Sequence, residues 1–448
     1  MKNKNTEAQK LKEINVGYPP FSDLKAVLPE EIKINKISPQ KLMNKPRRID
    51  ELLEMALFNP IGSPKLNQII KKRSESCGKT TSELSLLFAV DDITRVTPIR
   101  KIMPHLLNYL GDCGITGPQI KTLIALGSHR QMTDDELLEK FGDKIIDNIQ
   151  IKQHQWTDEK LMTNYGTTES GIQVLINKQI EKSDFVLAIG NIVPHEVAGF
   201  SGGYKMLIPG LSTLKTVERV HWLSTNQSFQ KRLGNNQTLA RKQINQAGRL
   251  TQLDFIINTV IDADGDVVGI YAGDPIMAQQ KGAEFSKTLY SVEAEPAEIV
   301  ITDCVPEKTD LWTAAKAIIH TAGFVKKGGI MIVAAACPEG VCPTHPQILE
   351  MGYKSPQDLE NRYLKNKKKN FNRLTATHCA NMWEIKQHCE VYLVSRGITA
   401  EASENLGLRV FKDLQVAIDH ALQIKTSIRQ INLIERGSEV IPAFHSPK

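Results

Sequence analysis

The chain lacks any apolar run of the about 18 residues that a membrane-spanning helix requires; its longest, Gly329–Cys337, has the length of a strand. Its opening stretch, MKNKNTEAQKLKEINVGYPP, has no apolar core of the kind a secretory leader carries, so cytoplasm is the expected location. Cysteine is sparse, with 7 in 448 residues, an odd number that fits reduced thiols better than a disulfide framework. Charge excess is also small. The 56 basic and 50 acidic residues leave a net +6, which suits small anionic ligands and gives no nucleic-acid signature. The single dense basic run, Lys365–Lys369, reads as a solvated loop or helix face. No repeat with a period of roughly 20–50 residues and no low-complexity tract is present, which excludes solenoids and arrays.

What is present is the mixture of a globular enzyme, 41% apolar and 24% charged, in a chain long enough for two or three domains. Apolar, β-branched runs end in polar or glycine-bearing turns: Leu84–Val90 before Asp91-Asp92, Thr122–Leu126 before Gly127-Ser128-His129, Phe185–Ile189 before Gly190-Asn191, and Phe255–Thr259 ahead of Ala263-Asp264-Gly265. That punctuation predicts buried parallel strands with crossover helices, whose ligands gather at the carboxyl ends of the strands. A second series follows the polar, Pro-containing segment Val292–Pro296, with strands at Ile299–Thr302, Ile330–Val333 and Val391–Val394 and a helix at Ala314–Ala322. The expected architecture is therefore two α/β domains with largely parallel sheets and an active-site cleft between them. The first covers 1–295, with 427–448 packing back on it, and the second covers 296–426.

The densest chemical signal is His195-Glu196-Val197-Ala198-Gly199-Phe200-Ser201-Gly202-Gly203-Tyr204-Lys205. Glycines around a serine let backbone approach a ligand closely, and the lysine stands in the loop itself. It is not a phosphate-binding Walker loop, because the GxxxxGK[ST] pattern fails: no Ser or Thr follows the lysine. His221 stands sixteen residues past Lys205 in a helical stretch, Thr216–Trp222, where a lone histidine is ordinarily structural. His129, at a strand end, reads equally as a capping group or an acid/base residue. Asp92-Ile93-Thr94-Arg95 combines an anion-binding arginine with hydroxyl and carboxylate groups able to hold it, or forms a structural ion pair at a turn. Cys337-Pro338-Glu339-Gly340-Val341-Cys342 with His345 has too few ligands at poor spacing for a metal site and reads as a loop with buried thiols.

Taken together, DDITRVTP, GSHR, HEVAGFSGGYKMLIPG and the histidine sixteen residues beyond its lysine resemble the nickel-pincer lactate racemase family. LWTAAKA and MWEIKQHCEVYLVS resemble that family's C-terminal segments, so the likeness spans most of the chain. The resemblance implies a cofactor, pyridinium-3,5-bisthiocarboxylic acid mononucleotide, gripping nickel through sulfur-containing arms and covalently tethered through Lys205. It implies His221 as the protein's nickel ligand, suited to a planar sulfur and imidazole site. Asp92, Ile93, Thr94 and Arg95 would line the nucleotide or substrate, and His129 and His195 would be the paired proton acceptor and donor. Arg95 and Lys316 would bind the substrate carboxylate, with Trp383 near the substrate pocket.

The implied reaction is racemisation or epimerisation of a small anionic 2-hydroxy acid by proton-coupled hydride transfer through a 2-keto acid. A carbon that exchanges hydride on both faces needs a proton-handling group on each side, and imidazole's ordinary pKa of about 6.5 suits both roles. Lactate-type members carry glutamine three residues before the equivalent of Lys316, where this chain has Thr313; the shorter side chain points to a bulkier or differently substituted acid. Cofactor-maturation proteins are the implied partners, with no role for nucleic acid or membrane. Two other readings stand beside this one: a metal-dependent dehydrogenase or hydratase with a dissociable cofactor, and a noncatalytic nucleotide carrier.

Overall fold

The computed structural model describes residues 10–41, 47–362 and 372–443. The basic run Lys365–Lys369 lies outside the described residues. These residues fall into two compact units, one within Gln40–Tyr290 together with Asn370–Thr377, the other within Met1–Pro39, Ser291–Lys369 and His378–Lys448. Among the described residues no helix is long and apolar enough to cross a membrane.

The first unit is built on a six-stranded sheet in the spatial order Val267–Gly273, Phe255–Ile261, Phe185–Asn191, Leu86–Asp91, Ile120–Ala125 and Gln150–Gln153. Its three central strands, FIINTVI, FVLAIGN and LLFAVD, are buried along their whole length, as parallel strands covered on both faces must be. The edge strand QIKQ is polar and partly exposed, which discourages further pairing. Apolar clusters fill both sides, one around Phe88, Leu187 and Leu106, the other around Val186, Leu207 and Ile244. The crossover helix Ile99–Asp112 buries Ile99, Ile102, Met103, Leu106 and Leu110, a helical spacing that lays one stripe on the sheet. One connection departs from the sequence reading. The turn at Ala263-Asp264-Gly265 makes an antiparallel hairpin from Phe255–Ile261 to Val267–Gly273, because so few residues cannot span a crossover.

The second unit carries an all-parallel sheet in the order Arg409–Phe411, Glu390–Val394, Val325–Ala334, Ala297–Asp303, Gln430–Ile434 and Lys33–Ile37. The helix Leu311–Thr321 begins at Asp310, whose carboxylate accepts from the Thr313 amide. The division of the chain differs from the sequence reading at both ends. Residues 10–39 and 427–443, which that reading gave to the N-terminal domain, group with this second unit. The reason is pairing: Gln430–Ile434 lies parallel to Ala297–Asp303 on one side and to Lys33–Ile37 on the other. The short, polar strand KINKI and the hairpin Leu11–Tyr18/Phe21–Pro29 before it carry weak local signals, and the sequence reading did not anticipate them.

Candidate functional site

In the first unit Leu86–Asp91 and Phe185–Asn191 are neighbours, and the chain leaves them toward opposite edges of the sheet. Such a reversal opens a crevice past the carboxyl ends of the strands. The Asp91–Arg95 turn, the Gly127-Ser128-His129 turn and the glycine loop all follow strands at this end.

Asp92 is buried, and its two oxygens have separate tasks. Oδ1 accepts from the Thr94 amide (3.1 Å) and hydroxyl (2.5 Å), while Oδ2 lies 2.6 Å from His129 Nδ1. Burial pushes this carboxyl's pKa up, but the His129 charge and hydrogen bond, the Arg95 charge and the Thr94 bond overcome that and hold it well below the usual carboxylate range. An ionised Asp92 can only accept, so the ring's Nδ1 carries the hydrogen and Nε2 of the neutral ring keeps its lone pair. The sequence reading gave this carboxylate to the arginine. Instead the Arg95 guanidinium donates to the Thr94 carbonyl and hydroxyl, both at 3.1 Å, and the carboxylate orients the histidine. Ile93 is half-buried in the same turn.

His195 closes a two-residue strand, Pro194–His195, that pairs antiparallel with Gly199–Phe200. Gly199 turns there at φ 76°, and a Cβ would stand 1.9 Å from the Asn235 carbonyl, so no other residue fits. His195 Nδ1 accepts from the amides of Val197 (3.1 Å) and Ala198 (3.4 Å), an arrangement in which the neutral ring's hydrogen sits on Nε2. In their neutral forms the two histidines are thus held in opposite tautomers, His129 with a lone pair on Nε2 and His195 with an N–H there.

Two buried arginines shape this loop. Arg241 donates to the carbonyls of Ala198 (3.4 Å), Gly202 (3.2 Å), Ser201 (3.4 Å) and Phe200, and burial lowers its pKa to about 9. Arg232 donates to the carbonyls of Glu196 (3.0 Å), Ser224 (2.6 Å) and Gln227. Lys205 follows in the 3-10 turn Gly203–Met206 and is partly exposed.

His221 lies in the last turn of the helix Leu214–Trp222, its Nδ1 donating to the Val217 carbonyl at 2.8 Å. Burial, and then the positive charge of Lys205, lower its pKa to about 4, with Glu196 and His129 also acting on it. Those electrostatic links put His221, Lys205, Glu196 and His129 in one neighbourhood. Glu196 Oε2 is itself 3.5 Å from His195 Nδ1. At neutral pH His221 presents an unprotonated Nε2, the form a metal ligand needs.

Lys316, Thr313 and Trp383 belong to the second unit. Lys316 pairs with buried Glu307, and the Thr313 hydroxyl is within 3.0 Å of Thr309 Oγ1 and 2.9 Å of Asp310 Oδ1. Trp383 is half-buried on the helix Arg373–His388. Cys337 and Cys342 are buried thiols with pKa pushed up to about 12, and the His345 ring packs 4.7 Å from Trp312. Sequence reasoning missed Lys140 and Arg241, which read locally as ordinary helix residues; their roles come from contacts that no short-range pattern encodes.

The chain matches the family profiles of the lactate racemase N-terminal domain over residues 21–233 and the lactate racemase C-terminal domain over residues 292–442. It is 29% identical to a lactate racemase of Thermoanaerobacterium thermosaccharolyticum over 402 residues, covering 88% of this chain and 90% of that protein. It is 33% identical to a lactate racemase of Lactiplantibacillus plantarum over 293 residues, 65% of this chain and 66% of that one. The solved structure of the lactate racemase apoprotein from T. thermosaccharolyticum superposes with a TM-score of 0.81 at 27% identity, covering 97% of this chain and all (100%) of that one. With both domain profiles in order along one chain and this fold beneath them, the protein belongs to the lactate racemase family and is an isomerase of the racemase type.

Proposed function

We propose that this protein interconverts the stereoisomers of a small 2-hydroxy acid with a nickel-pincer pyridinium nucleotide tethered to Lys205 and ligated through His221. The observation that carries the reading is the state of His221: neutral, oriented by its Nδ1 bond to Val217, and within electrostatic reach of Lys205 and His129. Among the described residues no group of three or more His, Cys, Asp or Glu could hold a metal. A metal at His221 therefore needs donors on a bound organic group, and the sulfur arms of the pincer nucleotide would be such donors. When bound, that group supplies an acceptor and donor of hydride for the substrate carbon, which passes through the 2-keto acid.

The chain's own residues do the rest. Arg95 binds the carboxylate with a charge-assisted fork. His129, aligned by Asp92, takes the hydroxyl proton at Nε2 and becomes imidazolium, while His195 enters the step as imidazolium, returns a proton from its Nε2 and ends neutral. With the substrate bound from the other enantiomer the roles exchange. Lys316 adds a second cation for the carboxylate, Trp383 lines the substrate, and Thr313 in place of glutamine favours an acid larger than lactate. Ile93 and Thr94 line the nucleotide. Seven unpaired thiols suit a cytoplasmic setting, where maturation proteins would install the nucleotide.

The test is the intact mass of protein produced together with cofactor-synthesis enzymes. An adduct present in the parent and absent in Lys205→Ala is expected; an unmodified parent mass refutes the tether. Chiral chromatography of single-enantiomer 2-hydroxy acids incubated with the matured protein then identifies the substrate.

A further inference from the structure

Lys140 has no part in the chemistry above, yet it is a buried cation bonded directly to the turn that carries Asp92 and Arg95. Its side chain is 3% exposed, and its ammonium donates to Asp91 Oδ1 (2.7 Å), the Asp92 carbonyl (2.7 Å) and the Arg95 carbonyl (2.8 Å). Three donors meet three acceptors, so its hydrogen-bonding capacity is used in full. Charge compensation requires only Asp91, whose other oxygen accepts from Thr97 at 2.5 Å. The two carbonyls are additional, and they belong to the residues that bracket the turn carrying Asp92 and Arg95.

The helix that supplies Lys140, Asp134–Phe141, is tied at its other end to the segment just after His129. Thr133 caps it, and Arg130 donates in a fork to Glu136 at 2.8 and 2.9 Å. One rigid element therefore grips both sides of the Asp92–His129 hydrogen bond: the loop of the acceptor through Lys140, and the loop of the donor through Arg130. A hydrogen bond between side chains on separate loops keeps its geometry only if those loops keep their spacing.

We propose that Lys140 is a positioning residue for proton transfer, pinning the Asp92–Arg95 backbone so that Asp92 holds His129 in its Nδ1–H tautomer. The inference rests on the reading of His129 as the proton acceptor. A purely structural role would make the Lys140–Asp91 pair replaceable by apolar side chains without consequence for the histidine, since buried ion pairs often yield to hydrophobic residues at no loss of stability.

The test uses the double variant Lys140→Met/Asp91→Leu, which removes both charges and leaves the two carbonyls without their donor. In ¹⁵N-histidine-labelled protein, with the His129 signals assigned through His129→Ala, the parent shows the Nδ1–H form and the double variant loses it. In matured protein kcat falls at least about tenfold while KM stays within about threefold, a fraction of what a positioned acid/base group contributes. Retention of the parental tautomer, or of the parental kcat, overturns the proposal. If the double variant does not accumulate folded, Lys140→Arg is read by the same two measurements, because a planar guanidinium cannot place three donors around one nitrogen. Full activity in His129→Ala would instead remove the base itself; loss there alongside full activity in the double variant removes only Lys140.

Discussion

Asp92→Asn gives the sharpest test of how the site handles protons. The substitution is isosteric, but Thr94 dictates which way the new amide faces. Its backbone N–H (3.1 Å) and hydroxyl (2.5 Å) both donate to Oδ1, and the hydroxyl is itself committed as acceptor to Arg95. The asparagine must therefore keep its oxygen on Thr94 and turn its NH₂ toward His129. An NH₂ can only donate, so Nδ1 becomes an acceptor and the ring's hydrogen moves to Nε2. The base loses the Nε2 lone pair with which it would accept the proton. Loss of a charged hydrogen bond alone is worth about 1.5–3 kcal/mol, about 10- to 150-fold in rate; a wrong tautomer costs more, up to about 10⁴-fold for a histidine base. The expected fall in kcat is thus between about 10² and 10⁴, measured as initial rates from each enantiomer with nickel content and adduct mass verified as parental. A kcat within about threefold of the parent, with cofactor retained, would mean that Asp92 does not set the tautomer and that the assignment of His129 is wrong.

Other outcomes follow from the same geometry. His221→Ala should lose nickel from the matured protein while its circular dichroism stays parental, as read by metal analysis. Arg241→Met strands the carbonyls of the 198–202 loop that it satisfies, so urea unfolding should show a loss of about 3–5 kcal/mol. Acid sensitivity has a definite window: burial holds His154 and His221 to a pKa of about 4, below the about 6.5 of the unfolded chain, so the unfolded state binds more protons between those values. Stability should therefore fall as pH drops from about 6.5 to about 4. Fully buried His154 accounts for up to about 1.4 kcal/mol per pH unit, and replacing it with a neutral residue should flatten the slope in denaturant titrations at stepped pH.

The strands and their order of use were legible because a doubly covered parallel strand must be apolar throughout, and Leu86–Asp91, Phe185–Asn191 and Phe255–Ile261 announce themselves that way. The candidate side chains could be picked out for a related reason: they sit just past those strands, where the apolar run gives way to polar residues. Partnerships were not. Nothing local distinguishes Asp91, which serves Lys140, from Asp92, which serves His129, since both choices are made by residues tens of positions away. Arg241 reads as a helix-surface residue until the glycine loop folds over it. Lys33–Ile37, short and polar, earns its place only through Gln430–Ile434.

That last pairing sets the order in which the molecule can be assembled during translation. The strand at residues 33–37 emerges early, but its partner at 430–434 follows about 390 residues later, on the order of 20–80 s at typical elongation rates of about 5–20 residues per second. The whole of the other unit's sheet is synthesised in between and can close first, while the early strand waits with its backbone donors and acceptors unmet. A nascent chain stalled before residue 430 would thus carry one finished sheet and one still open, whose unmet backbone groups are a natural target for chaperones and proteases.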